Sequence, residues 1–319
     1  MFAAVLAVTA GCGGSSDQEA NRVELTPRTP AGARTLTETP PQPGQDTSCD
    51  PTKSLRPAGA LPPPGQMPDG STMARIQQRG YLIAGVDQNT YLFGYRNPFS
   101  GELSGFDVDI ARQLALAIFG DAQKIQFRIL TSAQRIPALK AGDVDVVVRT
   151  FTINCERRKE VEFSAVYFES SQRILVHRGS TVTGLADLAG RKVCAAKDST
   201  SINRIANAQP RPIPIEVANW SDCLVLFQLG QVDAISTDDT ILAGMAEQDP
   251  YAKIVAGAAL GAEPYGIGVP IANQDMVRFV NGVLERIVSD GTWTRIYQRH
   301  LAVLGPPPRP PVPEYRNEP

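Results

Sequence analysis

Residues 149–164 contain the side chains best suited to hold an anion. A largely apolar run at 144–148 (VDVVV) leads into hydroxyls at Thr150 and Thr152, and Arg157 follows five residues after Thr152. A strand that ends in hydroxyls and then meets an arginine can offer short hydrogen bonds and a forked guanidinium to one carboxylate. This chemistry holds an anion without breaking a bond. Spacing alone favours a plainer interpretation, a strand followed by an exposed charged turn, because charge runs are usually solvated faces.

Composition limits the classes of function. The chain has 319 residues, 42% hydrophobic and 20% charged, and 31 basic against 33 acidic residues leave a net charge of −2. This length suits two lobes, and the near-neutral charge argues against a nucleic-acid binder, which must neutralise phosphates. The only two histidines, His177 and His300, are far apart in the sequence. This argues against a histidine-rich metal site and against a histidine-based catalytic triad. We therefore predict no cofactor, no metal and no catalytic residues.

The first twelve residues predict export and a lipid anchor. The apolar run FAAVLAVTA ends in Ala10-Gly11-Cys12, and small residues before a cysteine look like a bacterial lipobox. Thr9 stands where leucine or valine is usual, and no lysine or arginine precedes the run. We expect residues 1–12 to form a signal peptide that ends at a lipidated Cys12 and an extracytoplasmic protein anchored to the cell membrane. No stretch reaches 18 apolar residues, so no segment is predicted to span the membrane.

Prolines divide the chain into three parts. Of 26 prolines, eleven lie between residues 27 and 68 and seven lie after Gly305. Neither region has the apolar periodicity of a core. We therefore predict a proline-rich tether at 13–70 and a proline-rich tail at 305–319.

Between these ends, short apolar runs alternate with helical patterns. Repeated βα units imply parallel sheets covered by helices. Asn219 is a plausible N-cap, with Asp222 three residues on and Gly230 just past the helix end. In open parallel sheets ligands lie outside the carboxyl ends of the strands. The polar residues at those ends are Asp87, Thr150, Thr152, Lys197, Ser201 and Asp238.

Seven segments in this order resemble the polar amino-acid-binding proteins of ABC importers, which are bilobal solute-binding proteins. They are GFDVDI (105–110), SAQRIPAL (132–139), GDVDVVVRTFTINCERRKEVEFS (142–164), GRKVCAAKDSTS (190–201), VDAISTDD (232–239), YGIGV (265–269) and NGVLERIVSDGTWTRIYQRHL (281–301). The resemblance covers roughly residues 72–302 and is specific because seven segments agree.

The resemblance implies an α/β fold of the type II periplasmic-binding-protein kind. Two Rossmann-like lobes are joined by two crossing strands, and the ligand lies in the cleft between them. Lobe 1 would comprise 71–168 and 265–304, and lobe 2 would comprise 169–264. The crossings are expected near Tyr167–Ser170 and Ala262–Tyr265.

The resemblance also implies roles for single residues. Arg157 matches the arginine that grips the ligand α-carboxylate, with Thr150 and Thr152 beside it. Asp238 matches the aspartate that takes the α-ammonium group, and it could instead, or also, cap the helix that starts near Asp239.

Further candidates lie on both walls of the cleft. Thr200 and Ser201 begin a helix and offer hydroxyls and backbone N–H groups at its positive end. Asp87 is a weaker candidate, and Lys197 could serve the wall of lobe 2.

Ligand specificity depends on Arg135. In the resembling family, binders of acidic amino acids carry an arginine at this position, and glutamine binders have an aromatic residue where Ser132 stands. Arg96 and Arg149 add positive charge near the same end of the cleft. A guanidinium that faces the pocket would pair with a side-chain carboxylate. We therefore expect glutamate or aspartate, with asparagine or glutamine as weaker ligands; the alternative is that Arg135 is an exposed helix residue.

Four cysteines remain if Cys12 is lipidated, and an even number in an oxidising compartment suggests two disulfides. Three pairings are open. We prefer Cys194–Cys223, because a strand end and a helix start in one lobe can lie close, which leaves Cys49–Cys155. Cys194 could also be a small buried hydrophobe.

The expected protein is a monomer that binds an amino acid and presents its closed form to a membrane partner. That partner is an ABC permease or, alternatively, a transmembrane sensor. A third possibility is an enzyme on the same scaffold, which needs a general acid or base in the cleft. Asp87, Asp238 and Glu156 are available, but no nucleophile–base pair is evident.

Overall fold

Two β-sheets covered by helices account for most of the structure, a computed structural model that describes residues 29–40, 46 and 48–316. The strands are β1 (Arg34–Thr35), β2 (Leu82–Val86), β3 (Asn89–Thr90), β4 (Gly94–Arg96), β5 (Leu103–Ser104), β6 (Ile125–Ile129), β7 (Val146–Val147), β8 (Val161–Phe163), β9 (Phe168–His177), β10 (Lys192–Ala196), β11 (Ile213–Val217), β12 (Ala234–Asp238), β13 (Ala252–Ile254), β14 (Gly261–Tyr265) and β15 (Gly268–Pro270). The α-helices are α1 (Thr72–Arg79), α2 (Phe106–Phe119), α3 (Arg135–Ala141), α4 (Cys155–Arg158), α5 (Thr200–Asn207), α6 (Trp220–Gln228), α7 (Asp239–Gln248), α8 (Gln274–Ser289) and α9 (Thr292–His300).

The sheet of lobe 1 has the strand order β6-β2-β7-β15-β8. β2 runs parallel to β6 and β7, and β15 is antiparallel to both of its neighbours. Helices α2, α8 and α9 contribute to the core beneath this sheet, where Trp293 donates from its indole nitrogen to the Tyr167 carbonyl at 2.8 Å. The last helices of the chain therefore return to lobe 1, as expected.

The sheet of lobe 2 has the order β1-β11-β10-β12-β9-β13, with β14 also paired to β9. β10 is parallel to β11 and β12, whereas β9 is antiparallel to β12, β13 and β14. Both sheets are thus mixed instead of purely parallel. The reason is that the strands that connect the lobes enter each sheet against the direction of the βα units.

The chain crosses between the lobes twice. It leaves lobe 1 after β8 and enters lobe 2 on β9, and it returns from β14 to β15. β9 and β14 pair with each other, with Tyr265 opposite Phe168. Both crossings fall at the predicted segments, and the predicted two-lobed α/β fold is confirmed.

Local sequence explains several element boundaries. Asn219 and Asp222 form the predicted capping box at the start of α6, and Gly230, just past its end, has a positive φ of 66°. Gly105 precedes α2 with φ 134°, and a Cβ atom there would lie 2.2 Å from the carbonyl oxygen of Phe93. Only glycine allows this approach, which packs Phe93 against the start of α2.

The proline-rich ends differ from the expected free tether and tail. Residues 48–70 pack on lobe 1, where Ser54 and Leu55 are buried and both accept hydrogen bonds from Asn281. In the tail, Arg316 pairs with Glu162 at 2.9 Å. On the other lobe, β1 adds to the edge of the sheet beside β11. A few anchoring side chains suffice to hold an extended segment on the surface of a folded lobe. Such a segment therefore does not need the apolar periodicity of a core element.

Both predicted disulfides are present. Cys194 and Cys223 join β10 to α6, and Cys49, in the proline-rich segment before α1, is bonded to Cys155 at the start of α4. The predicted signal peptide at 1–12, including Cys12, lies outside the described residues. No helix in the described part of the chain is long and apolar enough to cross a membrane.

Candidate ligand-binding site

A cavity of about 400 Å³ lies between the lobes and contains two buried arginines. Lobe 1 supplies Ser132, Ala133, Arg135, Ile136, Pro137, Phe151, Asn154, Glu156, Arg157 and Glu160, and lobe 2 supplies Asp198, Thr200 and Asn203. Four predicted site residues therefore line one cavity: Ser132, Arg135, Arg157 and Thr200. The volume suits a ligand of the size of an amino acid.

Arg135 begins α3 and is only 3% exposed, so the alternative of an exposed helix residue is wrong. Its Nε donates to the Ser132 carbonyl at 2.9 Å, and its guanidinium lies 4.3 Å from the ring centre of Phe151. Burial lowers the pKa of Arg135 well below its usual value, and the neighbouring guanidiniums of Arg157 and Arg149 lower it further. An anion placed beside it would relieve this cost.

Arg157 lies on α4, whose N-cap Asn154 accepts a hydrogen bond from the Arg157 backbone nitrogen at 2.8 Å. Its Nη1 donates to the Thr152 carbonyl at 2.6 Å, and its guanidinium lies 5.1 Å from the ring centre of Phe151. Burial also lowers the pKa of Arg157. Within the described residues, neither Arg135 nor Arg157 forms an ion pair with a carboxylate.

The lobes touch beside this cavity and at a second place in the cleft. Arg135 and Arg157 of lobe 1 each donate from Nη2 to the carbonyl of Asp198 in lobe 2, at 3.4 and 3.2 Å. Asp198 adopts the left-handed region with φ 56°. Elsewhere in the cleft, Asn89 donates to Asn219 at 3.2 Å. The cleft is therefore closed.

A third arginine, Arg149, is fully buried and does not line the cavity. It forms an ion pair with Asp87 at 2.8 Å, and its Nη1 donates to the hydroxyl of Ser132, also at 2.8 Å. Asp87 and Ser132, both predicted as ligand contacts, here hold Arg149 in place. Arg149 is thus a neutralised cation, unlike Arg135 and Arg157.

Asp238 of lobe 2 has a buried carboxylate and does not line the cavity. The hydroxyl of Tyr265 donates to its Oδ2 at 2.6 Å. Burial, together with the nearby charge of Glu263, raises the pKa of Asp238 to about 8. Asp238 occupies the N-cap position of α7 but makes no side-chain capping bond there. Its carboxylate is therefore not committed to the helix, and the capping role is not realised.

Glu263, which was not among the predicted site residues, lies where the lobes meet. It is fully buried and accepts hydrogen bonds from Thr152 and Thr200, so the predicted hydroxyls converge on a carboxylate of the protein. The available signal was an acidic residue inside a crossing strand, directly before Pro264 and Tyr265. Phe151 and the Asp198 carbonyl were also missed, because neither residue type indicates a binding role by itself.

The remaining candidates contact other groups. The backbone nitrogen of Thr150, which has φ 37°, donates to Asp107 at 2.8 Å, and Ser201 donates to Thr237 at 3.3 Å. Lys197 is exposed and does not line the cavity.

Arg96 is also exposed, and it donates to Gln88 and to the Gly101 carbonyl instead of facing the cavity. In the described part of the chain no group of three or more histidine, cysteine, aspartate or glutamate side chains is arranged to hold a metal ion.

Comparisons with known proteins agree with this architecture. The ABC transporter glutamine-binding protein GlnH of Bacillus subtilis (strain 168) is 42% identical over 231 residues, which are 72% of this chain and 84% of that protein. The glutamate-binding protein GluB of Corynebacterium glutamicum is 30% identical over 248 residues, which are 74% of this chain and 84% of that protein.

Solved structures show the same fold. The solute receptor for L-cysteine of Neisseria gonorrhoeae has a TM-score of 0.70 at 26% identity and covers 74% of this chain and 96% of its own. An ancestral arginine-binding protein bound to glutamine has a TM-score of 0.65 at 34% identity and covers 70% of this chain and 98% of its own.

The profile of the bacterial extracellular solute-binding proteins, family 3, matches residues 82–303. This match covers both lobes and both crossings, and it agrees with the resemblance seen in the seven segments. The chain belongs to that family of solute-binding proteins.

Proposed function

We propose that this protein binds an acidic amino acid, glutamate or aspartate, between its lobes and delivers it to an ABC amino-acid importer. The observation that carries the proposal is the pair of buried guanidiniums, Arg135 and Arg157, that line one cavity without a carboxylate partner among the described residues. Their present acceptors are backbone carbonyls.

The cost of burying charge explains why this pair favours a dianionic partner. An isolated buried charge is expensive, and a paired, hydrogen-bonded one is tolerated. Arginine keeps its proton in proteins, so neither residue can escape the cost by becoming neutral. A ligand with two carboxylates can pair with both guanidiniums at once, in the forked geometry that arginine prefers.

The third charge of an acidic amino acid is its ammonium group, and we assign it to Asp238. Asp238 lies close enough for its charge to raise the pKa of both Arg135 and Arg157, against the effect of burial. In this assignment Arg157 binds the α-carboxylate and Arg135 binds the side-chain carboxylate. Glutamine and asparagine would give Arg135 only a neutral oxygen and are therefore weaker ligands.

The relatives support a ligand of the glutamate and glutamine class and an ABC transporter as the partner. Those described above are named as a glutamine-binding protein of an ABC transporter and a glutamate-binding protein. We further propose that Cys12 is lipidated and holds the protein at the outer face of the membrane. Replacing Cys12 with alanine should then move the protein from the membrane fraction to the soluble fraction, and an unchanged distribution would contradict the anchor.

A thermal-shift screen of the twenty amino acids tests the proposed ligand directly. A ligand at one hundred times its dissociation constant adds roughly 2.7 kcal/mol to the free energy of unfolding, which is readily detected. Glutamate or aspartate should give the largest shift, followed by the amides. A largest shift from a basic or apolar amino acid would contradict the proposal. Recovery of unchanged ligand after long incubation, checked by NMR, distinguishes binding from an enzymatic reaction.

A further inference from the structure

Glu263 joins the two lobes through one buried carboxylate. It lies on the crossing strand β14, opposite Ser170 of β9. Its Oε2 accepts hydrogen bonds from the hydroxyls of Thr152 and Thr200, both at 2.7 Å, and its Oε1 accepts one from Arg204 at 2.8 Å. Thr152 belongs to lobe 1 and Thr200 to lobe 2, so both lobes are tied to the strand between them.

We propose that Glu263 is a positioning residue that latches the lobes together before any ligand binds. When the cleft opens, Thr152 and Thr200 move apart, and one carboxylate on the crossing strand can follow at most one of them. Opening therefore breaks at least one charge-assisted hydrogen bond, a class roughly twice as strong as neutral hydrogen bonds. The latch raises the fraction of ligand-free molecules that are closed.

The latch also orders the binding groups themselves. Thr152 is held on two sides, because its hydroxyl donates to Glu263 while its carbonyl accepts from Arg157 at 2.6 Å. Thr200 is the first residue of α5 and lines the cavity. Glu263 does not line the cavity and acts through these two neighbours.

The hydroxyls of Thr152 and Thr200 serve the latch and are not available for direct ligand recognition. A threonine hydroxyl has one proton to donate, and in both Thr152 and Thr200 that proton goes to Glu263. These hydroxyls therefore cannot donate to a ligand carboxylate while the latch is formed. The ligand must instead use the guanidiniums and backbone N–H groups, which differs from the role that the sequence suggested for the two threonines.

Small-angle X-ray scattering of the ligand-free protein tests the latch. Thr152→Val and Thr200→Val remove the hydroxyls at nearly constant volume, and each should increase the radius of gyration. The double variant should open no further, because either change already breaks the bridge. Ser236→Ala is the control, since it removes a buried hydroxyl bonded only within lobe 2. Compact single variants would overturn the proposal, and no ligand is needed, so this result is independent of the proposed function.

Calorimetry with glutamate gives the second test, which rests on the proposed function. Thr200→Val should weaken binding by roughly ten- to a hundredfold, the loss expected for one hydrogen bond to a charged group. In the Glu263→Ala background the same change should have no further effect. A full additional loss there would show that Thr200 contacts the ligand directly and would refute the latch.

A conservative variant separates positioning from general stability. Glu263→Gln keeps an acceptor oxygen of similar size, so it should recover much of the compactness that Glu263→Ala loses. If Glu263→Ala does not fold, the Thr152 and Thr200 variants replace it, and losses that add fully in their double variant contradict the latch.

Discussion

The two lobes differ in the charged groups that they bury near the cleft. The wall of lobe 1 contains two guanidiniums, Arg135 and Arg157, that lack a carboxylate partner among the described residues. Lobe 2 and its crossing strand contain two buried carboxylates that do not line the cavity, of which Glu263 pairs with Arg204 and Asp238 has a pKa raised to about 8. An aspartate can take up a proton when buried, whereas an arginine cannot give one up. Burial therefore leaves the two guanidiniums of lobe 1 charged, whereas it favours the protonated form of Asp238 in lobe 2.

This asymmetry predicts how a ligand with three charges would be bound. Its carboxylates would neutralise lobe 1 directly. Its ammonium group would favour the ionised form of Asp238, so that a proton leaves lobe 2 on binding. Substitutions at Arg157, Asp238 and Arg135 would each remove one part of this difference.

The largest effect should come from Arg157→Ala, which removes the α-carboxylate partner. Breaking one side of a buried ion pair costs roughly 3–5 kcal/mol, which is more than a hundredfold in affinity. Calorimetry should show lost binding by a protein that still unfolds cooperatively. Lys159→Ala is the matched control, because Lys159 follows α4, is exposed and pairs with Asp46. Retained micromolar binding by Arg157→Ala would rule out the assigned role.

The affinity for glutamate should rise with pH up to about 8, because the ligand ammonium requires the ionised form of Asp238. Below that pH the free protein is protonated at Asp238, so each pH unit should change affinity by up to roughly tenfold. Calorimetry in buffers of different ionisation enthalpy should detect the released proton. Asp238→Asn should bind weakly and without this pH dependence. A flat profile for the unaltered protein would contradict a neutral Asp238.

The raised pKa of Asp238 also determines how the stability of the ligand-free protein changes with pH. The folded protein binds the Asp238 proton more tightly than the unfolded chain, whose aspartate has the ordinary pKa of 3.8. Its contribution to stability is present below about pH 4 and is lost as the pH rises through about 8. Urea unfolding should show that Asp238→Asn removes this decline. An identical pH dependence in both proteins would contradict the assignment.

Arg135→Ala should change specificity more than it changes general affinity. A neutral amide loses only about 1 kcal/mol of hydrogen bonding, whereas an acidic ligand leaves a carboxylate unpaired. The ratio of glutamate to glutamine affinity should therefore fall by at least about tenfold. The exposed Arg96 gives the control Arg96→Ala, which should preserve the ratio. An unchanged ratio in Arg135→Ala would place specificity elsewhere.

The smallest effect on binding should come from the Cys49–Cys155 disulfide. Cys155 begins α4 two residues before Arg157, so Cys49→Ala should weaken glutamate binding severalfold and spare the glutamate to glutamine ratio. Loss of a crosslink of this separation should cost about 4–5 kcal/mol of stability in the chain-entropy model. Changing both Cys194 and Cys223 to alanine should lower stability without weakening glutamate binding. Unreduced native protein should show no more than one free thiol outside Cys12, and four would refute both bridges.

Local sequence patterns were sufficient to predict the strands and helices and the position of Arg157. The apolar run before Thr150 and the short segment that follows it place Arg157 at the edge of a sheet. The Asn219 capping box and both disulfide pairings were also predictable. Each depends on residues whose types and spacing act within a few turns of the chain, or on a small number of possible pairings.

Partners distant in the chain were not predictable in the same way. Asp87 and Ser132 have the residue types of ligand contacts, and the structure gives both to Arg149. Thr152 and Thr200 were expected to bind a ligand, and both donate to Glu263. When several groups are chemically suitable as hydrogen-bond partners of a side chain, the partner is the one that lies within about 3 Å. That distance is set by the packing of the whole molecule.

The family, the alternation of strands and helices and the arginine at the end of the apolar run follow from the order of the residues, because they depend on neighbours in sequence. Only the folded molecule decides that the proline-rich segments pack on the lobes and that the two arginines share one cavity. It also decides that a carboxylate from the crossing strand joins both lobes. These features depend on groups far apart in the chain, such as the Thr152 hydroxyl and Glu263 at a separation of 111 residues, which meet only when both sheets and both crossings are in place.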